Sequence, residues 1–199
     1  MIAIRGAASR IAVELRTLLP EGEEVIEVPR GEIPVFSADR YLFCQGLLRP
    51  KRAADQTDEE VDEGLDVNAH QVMRACDVIL GGNANARICV IGSESGFAGS
   101  FDGTYAEAKA RLHSYVERRR LRYPGQQLVC VAPGIVFDSA MTQRRGDLEQ
   151  LEQRRQIHPK RRWLTALGVA RVVHFALYVD EGYLSNTVIR VNGGEHLWR

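Results

Sequence analysis

Lysine is scarce in this chain of 199 residues, occurring only at Lys51, Lys109 and Lys160. Charge of one sign is missing too. Lys+Arg and Asp+Glu stand at 26 each, so no global field draws the chain to nucleic acid or to an anionic membrane. The local arginine runs (Arg118 to Arg120, Arg144-Arg145, Arg154-Arg155, Arg161-Arg162) lie mostly among glutamate, glutamine or aspartate. They read as solvated helix faces or an oligomer surface. The four cysteines (Cys44, Cys76, Cys89, Cys130) show no Cys-x-x-Cys spacing. Three of them sit in apolar, strand-like runs, where a thiol behaves as a small hydrophobe, which points to a reducing compartment. No apolar run approaches membrane-spanning length, and the chain opens directly on a strand without a basic-then-apolar leader, so a cytoplasmic location is expected. His70, His113, His158, His174 and His196 show no metal-ligand spacing and are expected to be surface or core residues. There is no low-complexity tract, internal repeat or second domain boundary, and residues 1–199 are expected to form one domain.

What is present is an alternation of short apolar runs with helical patterns. Ile2 to Ile4, Glu24 to Val28, Tyr41 to Cys44, Arg87 to Ile91, Leu128 to Ala132 and Thr187 to Val191 read as strands or strand-like runs. Between them lie a helix after Gly6 that ends near Leu19-Pro20, and a long helix capped by Thr57 or Asp58. A further helix follows the Gly/Ser loop from Gly92 to Gly103, and Thr104-x-x-Glu107 is a capping-box pattern at its start. A polar helical stretch covers Ser139 to Gln156, and an amphipathic helix covers about Leu167 to Val179. The pattern predicts an α/β fold, a doubly wound parallel sheet with helices on both faces. Ligands in such sheets bind beyond the strand C-termini. Gly6, Gly46, Ser93 and Pro133 all follow strands and are expected to crowd that edge.

Tyr105 and Lys109 carry the chemistry. Four apart on a helix, they share one face, a turn from each other. A cation held there is expected to favour the phenolate and lower the phenol's pKa, making Tyr105 a proton donor near neutral pH. With six tyrosines and three lysines in the chain, about 0.1 such pairs are expected by chance, although a motif of this kind gains weight only in context.

The context resembles the short-chain dehydrogenase/reductase family across nearly the whole chain. That family's Tyr-x-x-x-Lys matches Tyr105 and Lys109, and its serine matches Ser93 in Ile91-Gly-Ser-Glu-Ser-Gly-Phe-Ala-Gly99. Ser93 is preferred to Ser95 because glycines follow three and six residues later, at Gly96 and Gly99. The family's helix asparagine matches Asn68 in Asp66-Val-Asn-Ala, and of its Asn-Asn-Ala-Gly segment only Gly46 survives, in Phe43-Cys-Gln-Gly46. Pro133-Gly-Ile-Val136 resembles the cofactor-facing Pro-Gly motif, and Ile189-Arg-Val-Asn-Gly-Gly194 the C-terminal strand and turn. The resemblance implies hydride transfer between a nicotinamide cofactor and a carbonyl/alcohol substrate, with Tyr105 as general acid/base. Lys109 would tune Tyr105 and hold the nicotinamide ribose, Ser93 would bond the reacting oxygen, and Asn68 would hold a water in a proton relay. The cofactor site it implies comprises Gly6, Ser9, Arg10, Ile11, Arg30, Gly46, Lys109, Pro133, Gly134 and Val136. Homodimers or homotetramers are usual in the family.

The chain departs from the pattern in three places. The first loop, Arg5-Gly-Ala-Ala-Ser-Arg10-Ile-Ala12, keeps only Gly6 of the family's glycines and carries Arg10. Arg30 stands near the position where NAD-preferring members place an acid. Guanidinium suits phosphate, so NADP(H) is expected over NAD(H), with Arg10 and Arg30 holding the 2′-phosphate. About a dozen residues separate strand two from Tyr41, too few for the family's usual helix, strand and helix, which predicts a narrower sheet and a more open adenosine end. Ser139 is a weak candidate for the family's carboxamide-touching threonine. The stretch Ala140 to Arg162, polar and arginine-rich, favours a polar or anionic substrate. The alternative reading is a non-catalytic dinucleotide-binding or sensing protein with a degenerate adenine site.

Overall fold

The computed structural model describes residues 1–32, 38–144 and 146–195; the segment between strand two and Tyr41, Arg145 and His196 therefore lie partly or wholly outside the described residues. Six strands, β1 (Ile2–Arg5), β2 (Val25–Val28), β3 (Arg40–Phe43), β4 (Arg87–Ile91), β5 (Gln127–Pro133) and β6 (Thr187–Val191), form one sheet in the order β2-β1-β3-β4-β5-β6. Every pair is parallel. Strands covered on both faces need apolar residues at consecutive positions, and every residue of β1 and of β5 is buried.

The two faces make two cores. Ile2, Ile4, Leu42, Cys89, Val129 and Val131 meet α1 (Arg10–Arg16) and α8 (Ala166–His174). Ala3, Tyr41, Phe43, Ile88, Val90 and Cys130 meet α3 (Gln71–Gly82) and α5 (Gly103–Arg118) on the other side. The alternation along each strand follows from its period of two. All four cysteines are free, and burial pushes their thiols up, with Cys44 and Cys130 at about 12.

The direction of winding reverses at β1, which has β2 on one side and β3 on the other. Such a reversal opens a crevice at the C-terminal ends of the two strands, here β1 and β3. The sheet has the narrow form that the short segment after β2 predicts.

Three local features depart from the sequence reading. The long helix after Thr57 is α2 (Asp58–Leu65) and α3 joined through a π-turn at Asp66–His70. The polar stretch after Ser139 is two helices, α6 (Ala140–Gln143) and α7 (Leu148–Ile157). Helix α5 is capped by Asp102, whose carboxylate accepts from the Tyr105 N–H at 3.0 Å, and not by Thr104. Asp102 precedes the glycine that starts the helix, and a carboxylate is a strong N-cap. Among the described residues no helix is long and apolar enough to cross a membrane.

Candidate active site

Strand β4 delivers the first residue. Beyond Ile91 the chain bends over β5: the Gly92 N–H donates to Val131 O and the Glu94 N–H to Pro133 O, both at 2.8 Å. This holds Ser93 at the sheet edge, where its Oγ accepts from the Ser95 N–H at 3.1 Å. That bond begins the short helix α4 (Ser95–Ala98), inside what reads as plain loop in the sequence.

Helix α5 brings Tyr105 and Lys109 to the same place. The Ser93 side chain lies beside the Tyr105 hydroxyl and acts to hold its pKa down. Lys109 is 2% exposed. Its ammonium donates to Ile91 O at 2.8 Å and lies 5.6 Å from the Tyr105 ring centroid. Among the described residues this leaves two Nζ protons without an acceptor. Burial lowers the Lys109 pKa to about 8, with Cys130 and Cys44 opposing the shift.

The Tyr105 pKa runs against the expectation. Burial raises it; the Ser93 contact opposes the rise, and the Asp102 carboxylate adds to it. Desolvating a phenolate costs more here than the contact with Ser93 returns.

Asn68 is fully buried, in the π-turn. Its amide donates to Leu47 O and Gly64 O and accepts from the Leu47 N–H, each at 2.8 Å. The side chain therefore clamps the loop after β3, and holding that loop is the work its donors do. A methyl group on Gly46, in this loop, would stand 3.4 Å from the Met141 methyl of α6 and 3.7 Å from Asn68 Oδ1. Helix α6 thus leans over the crevice. Ser139 caps it, accepting from the Thr142 N–H at 3.2 Å.

On the other side of the crevice, Gly6 sits at φ +81°, and a Cβ there would be 2.7 Å from Gln45 N. Only glycine allows the two loops to cross this closely. Ser9 caps α1 through the Ala12 N–H at 3.2 Å, and its hydroxyl counters part of the upward shift of the Cys44 thiol. Ile11 belongs to the core. Gly134 N–H donates to Val191 O at 3.0 Å, and Val136 pairs with Leu164, so the Pro133-Gly134 turn is stitched to β6 and to the segment before α8.

The two arginines expected to converge do not meet among the described contacts. Arg10 turns to Glu14 at 2.6 Å and lies 3.9 Å from Asp138. Arg30 stands exposed beyond β2.

Three features of the site escaped the sequence reading. His113, one turn after Lys109 on the same stripe, is buried and accepts from the Ser93 N–H through Nε2 at 3.4 Å. Its Nδ1 has no partner among the described residues, and burial together with Lys109 and Arg190 lowers its pKa to about 4. Gly92 and Gly96 make the room: a Cβ on either would fall within 2.6 Å of the imidazole. Glu94 forms a two-point ion pair with Arg190 of β6, whose guanidinium lies 4.6 Å over the Phe97 ring. Arg5, at the end of β1, is buried with its guanidinium 2.5 Å from Gln71 Oε1. The i, i+4 stripe through Lys109 was the signal for His113. Glu94 and Arg190, 96 residues apart, left none.

No protein-family model matches the chain, and no curated protein matches its sequence. The solved structures are different. A short chain dehydrogenase family protein from Francisella tularensis superposes with a TM-score of 0.83 at 16% identity, covering 98% of both chains. Levodione reductase superposes at 0.82 and 17% identity, covering all of this chain and 98% of its own. A small-chain dehydrogenase in complex with NADPH gives 0.82 and 16% identity over 98% of each chain. The fold is that of the short-chain dehydrogenase/reductases. The chain carries this fold at a sequence identity so low that only the architecture transfers from the comparison. Among the described residues no three His, Cys, Asp or Glu side chains group as metal ligands.

Proposed function

We propose that the protein is an NAD(P)-dependent oxidoreductase of the short-chain dehydrogenase/reductase type, acting on a carbonyl/alcohol pair with Tyr105 as general acid/base. The observation that carries this reading is the convergence of Ser93, Tyr105 and Lys109 on one buried spot beside the crevice. A buried ammonium with one acceptor and two spare protons is costly unless a ligand completes it. A nicotinamide ribose, with its two hydroxyl acceptors, fits that need. The same crevice offers the Gly6 turn and the Pro133-Gly134 turn for close backbone approach, and Val136 beside them. The dinucleotide, when bound, supplies or accepts the hydride. The chain's part is placement and protons. Ser93 and Tyr105 bond the substrate oxygen together, Tyr105 passes it a proton in reduction or takes one in oxidation, and Lys109 charges the surroundings to favour the phenolate. Asn68 keeps the Gly46 loop in place.

NADP(H) is favoured over NAD(H), because Arg10 starts α1, just after the loop that follows β1, and Arg30 follows β2 near the place of an acidic ribose clamp. A polar or anionic substrate suits the arginine-rich segment from α6 to α8. Tyr105→Phe should abolish turnover and leave NADPH binding, followed by its fluorescence, within about twofold of the wild type, since the phenol contacts the reacting oxygen and not the adenosine. A variant that keeps full activity refutes the mechanism. One observation favours a second reading, a dinucleotide-binding protein without turnover: the Tyr105 pKa is raised, which opposes proton release in the ligand-free chain. Retained NADPH binding without activity on any carbonyl of a broad panel would support that reading.

A further inference from the structure

At the crevice edge one backbone donor has no strand to meet. The Gly92 and Glu94 N–H groups donate to Val131 O and Pro133 O of β5. Alternation along a parallel strand turns the N–H between them, that of Ser93, to the other side. There β3 ends at Phe43, level with Val90 and short of Ser93. His113 takes its place: the Ser93 N–H donates to Nε2 at 3.4 Å. One turn earlier on α5, Lys109 Nζ donates to Ile91 O at 2.8 Å. The helix thus grips the peptide before Gly92 and the peptide after it.

The imidazole is held for this task at a cost. A ring that accepts at Nε2 is neutral and carries its proton on Nδ1, and Nδ1 is buried with no partner among the described residues. An apolar side chain would avoid that stranded donor. Two glycines leave the space: a Cβ on Gly92 would stand 2.5 Å from Nε2, and one on Gly96 2.6 Å from Cε1. The plane of the ring is fixed as well. Phe97 of α4 stacks on it, with centroids 4.5 Å apart at 29°. The Arg190 guanidinium covers Phe97 at 4.6 Å and pairs with Glu94, the residue after Ser93. Burial, with Lys109 and Arg190 adding to it, lowers the His113 pKa to about 4, so the acceptor persists at neutral pH.

Resting on the oxidoreductase reading above, we propose that His113 is a positioning residue for the reaction, fixing the Ser93 peptide and through it the Oγ that bonds the substrate oxygen. The nitrogen that His113 holds and the Oγ belong to one residue, so a peptide free to rotate carries the hydroxyl away from Tyr105. Small displacements are costly where two groups must meet one oxygen. Lys109 grips the other side of Gly92, but a bound ribose draws on the same ammonium. His113 is the anchor that keeps its partner.

Steady-state kinetics of the full chain on a carbonyl that it reduces, with His113→Leu and His113→Gln in the wild-type and Ser93→Ala backgrounds, test this. Leucine removes the acceptor; glutamine places an amide oxygen where Nε2 stands. His113→Leu should lower kcat about five- to tenfold, the scale of one neutral hydrogen bond, with the KM for NADPH within about twofold. His113→Gln should recover most of that loss. In the Ser93→Ala background His113→Leu should cost less than about twofold more, because the hydroxyl it positions is gone. Nitrogen-15 NMR of histidine-labelled protein gives a reading without turnover. The His113 ring, assigned by its absence in His113→Leu, should carry its proton on Nδ1. A proton on Nε2, which cannot accept from Ser93, overturns the proposal. So does an unchanged kcat in His113→Leu, an equal loss with and without the Ser93 hydroxyl, or a loss that glutamine does not restore. If the wild type turns over no carbonyl of a broad panel, the oxidoreductase reading fails and the Ser93 amide resonance decides the anchor. A resonance that moves in His113→Leu and returns in His113→Gln supports it, and one that stays in place overturns it.

Discussion

Replacing Lys109 by methionine separates what the residue does for function from what it does to stability. The ammonium is buried beside the sheet, and its pKa falls from 10.5 to about 8. At about 1.4 kcal/mol per unit, the fold bears a penalty on the order of 3 kcal/mol while the group is charged in both states. As the pH rises from about 8 towards 10.5, the folded chain has released the proton and the unfolded chain still holds it. The unfolded state then binds more protons, so stability from this residue increases with pH across that window. Methionine matches the length of the stem and removes the charge. Near pH 7 it relieves the penalty but strands Ile91 O, at a cost of about 1–3 kcal/mol, so Lys109→Met should lie close to the wild type in stability. Urea unfolding of both proteins at several pH values between about 7 and 10.5 measures the difference. The four thiols also titrate there, with the opposite sign, but they occur in both chains and largely cancel. The difference should move by about 3 kcal/mol in favour of the wild type. A difference that stays flat from about pH 8 to 10.5 refutes the reasoning, as it would mean that the ammonium is not desolvated.

Asn68→Ala removes three bonds, one buried and two part-buried, and leaves the Leu47 N–H and C=O without that partner; a loss of about 2–4 kcal/mol in urea unfolding is expected. His113→Leu tests the imidazole. With a folded pKa of about 4 against an ordinary 6.5, the unfolded chain takes the proton first, so the wild type loses stability as the pH falls through that window. The variant should escape that loss, about 2–3 kcal/mol between pH 6.5 and 4, and thermal unfolding over the acid range reads it. Gly92→Ala would put a methyl 2.5 Å from His113 Nε2 and 2.6 Å from Cys130 Sγ. It should lower stability by about 1–3 kcal/mol and displace Ser93, measured as a lower melting temperature together with a lower kcat.

The parts of the site that were legible in the sequence are those written in short spacings. Tyr105 and Lys109 four apart, Ser93 after an apolar run, and glycine or proline after each strand all follow from local periodicity, and the structure brings Ser93, Tyr105 and Lys109 together. The helix cap was misread because Thr104 and Glu107 make a valid local pattern, while the choice of Asp102 was settled by long-range contacts that also bring Arg49 and Gln56 to that carboxylate. Arg10, expected to hold the 2′-phosphate, lies 2.6 Å from Glu14, an i+4 neighbour visible in the sequence.

The sequence by itself determined the parallel sheet, the crevice at the ends of its strands and the stripe that carries Tyr105 and Lys109. Burial patterns of period two and 3.6 are properties of consecutive residues. Only the tertiary structure decided the electrostatics of the site. The direction of the Tyr105 pKa, the depth of Lys109 and the neutral His113 behind Ser93 depend on which groups lose water and which groups meet across the fold. Desolvation and charge proximity are set in three dimensions, and no spacing along the chain encodes them.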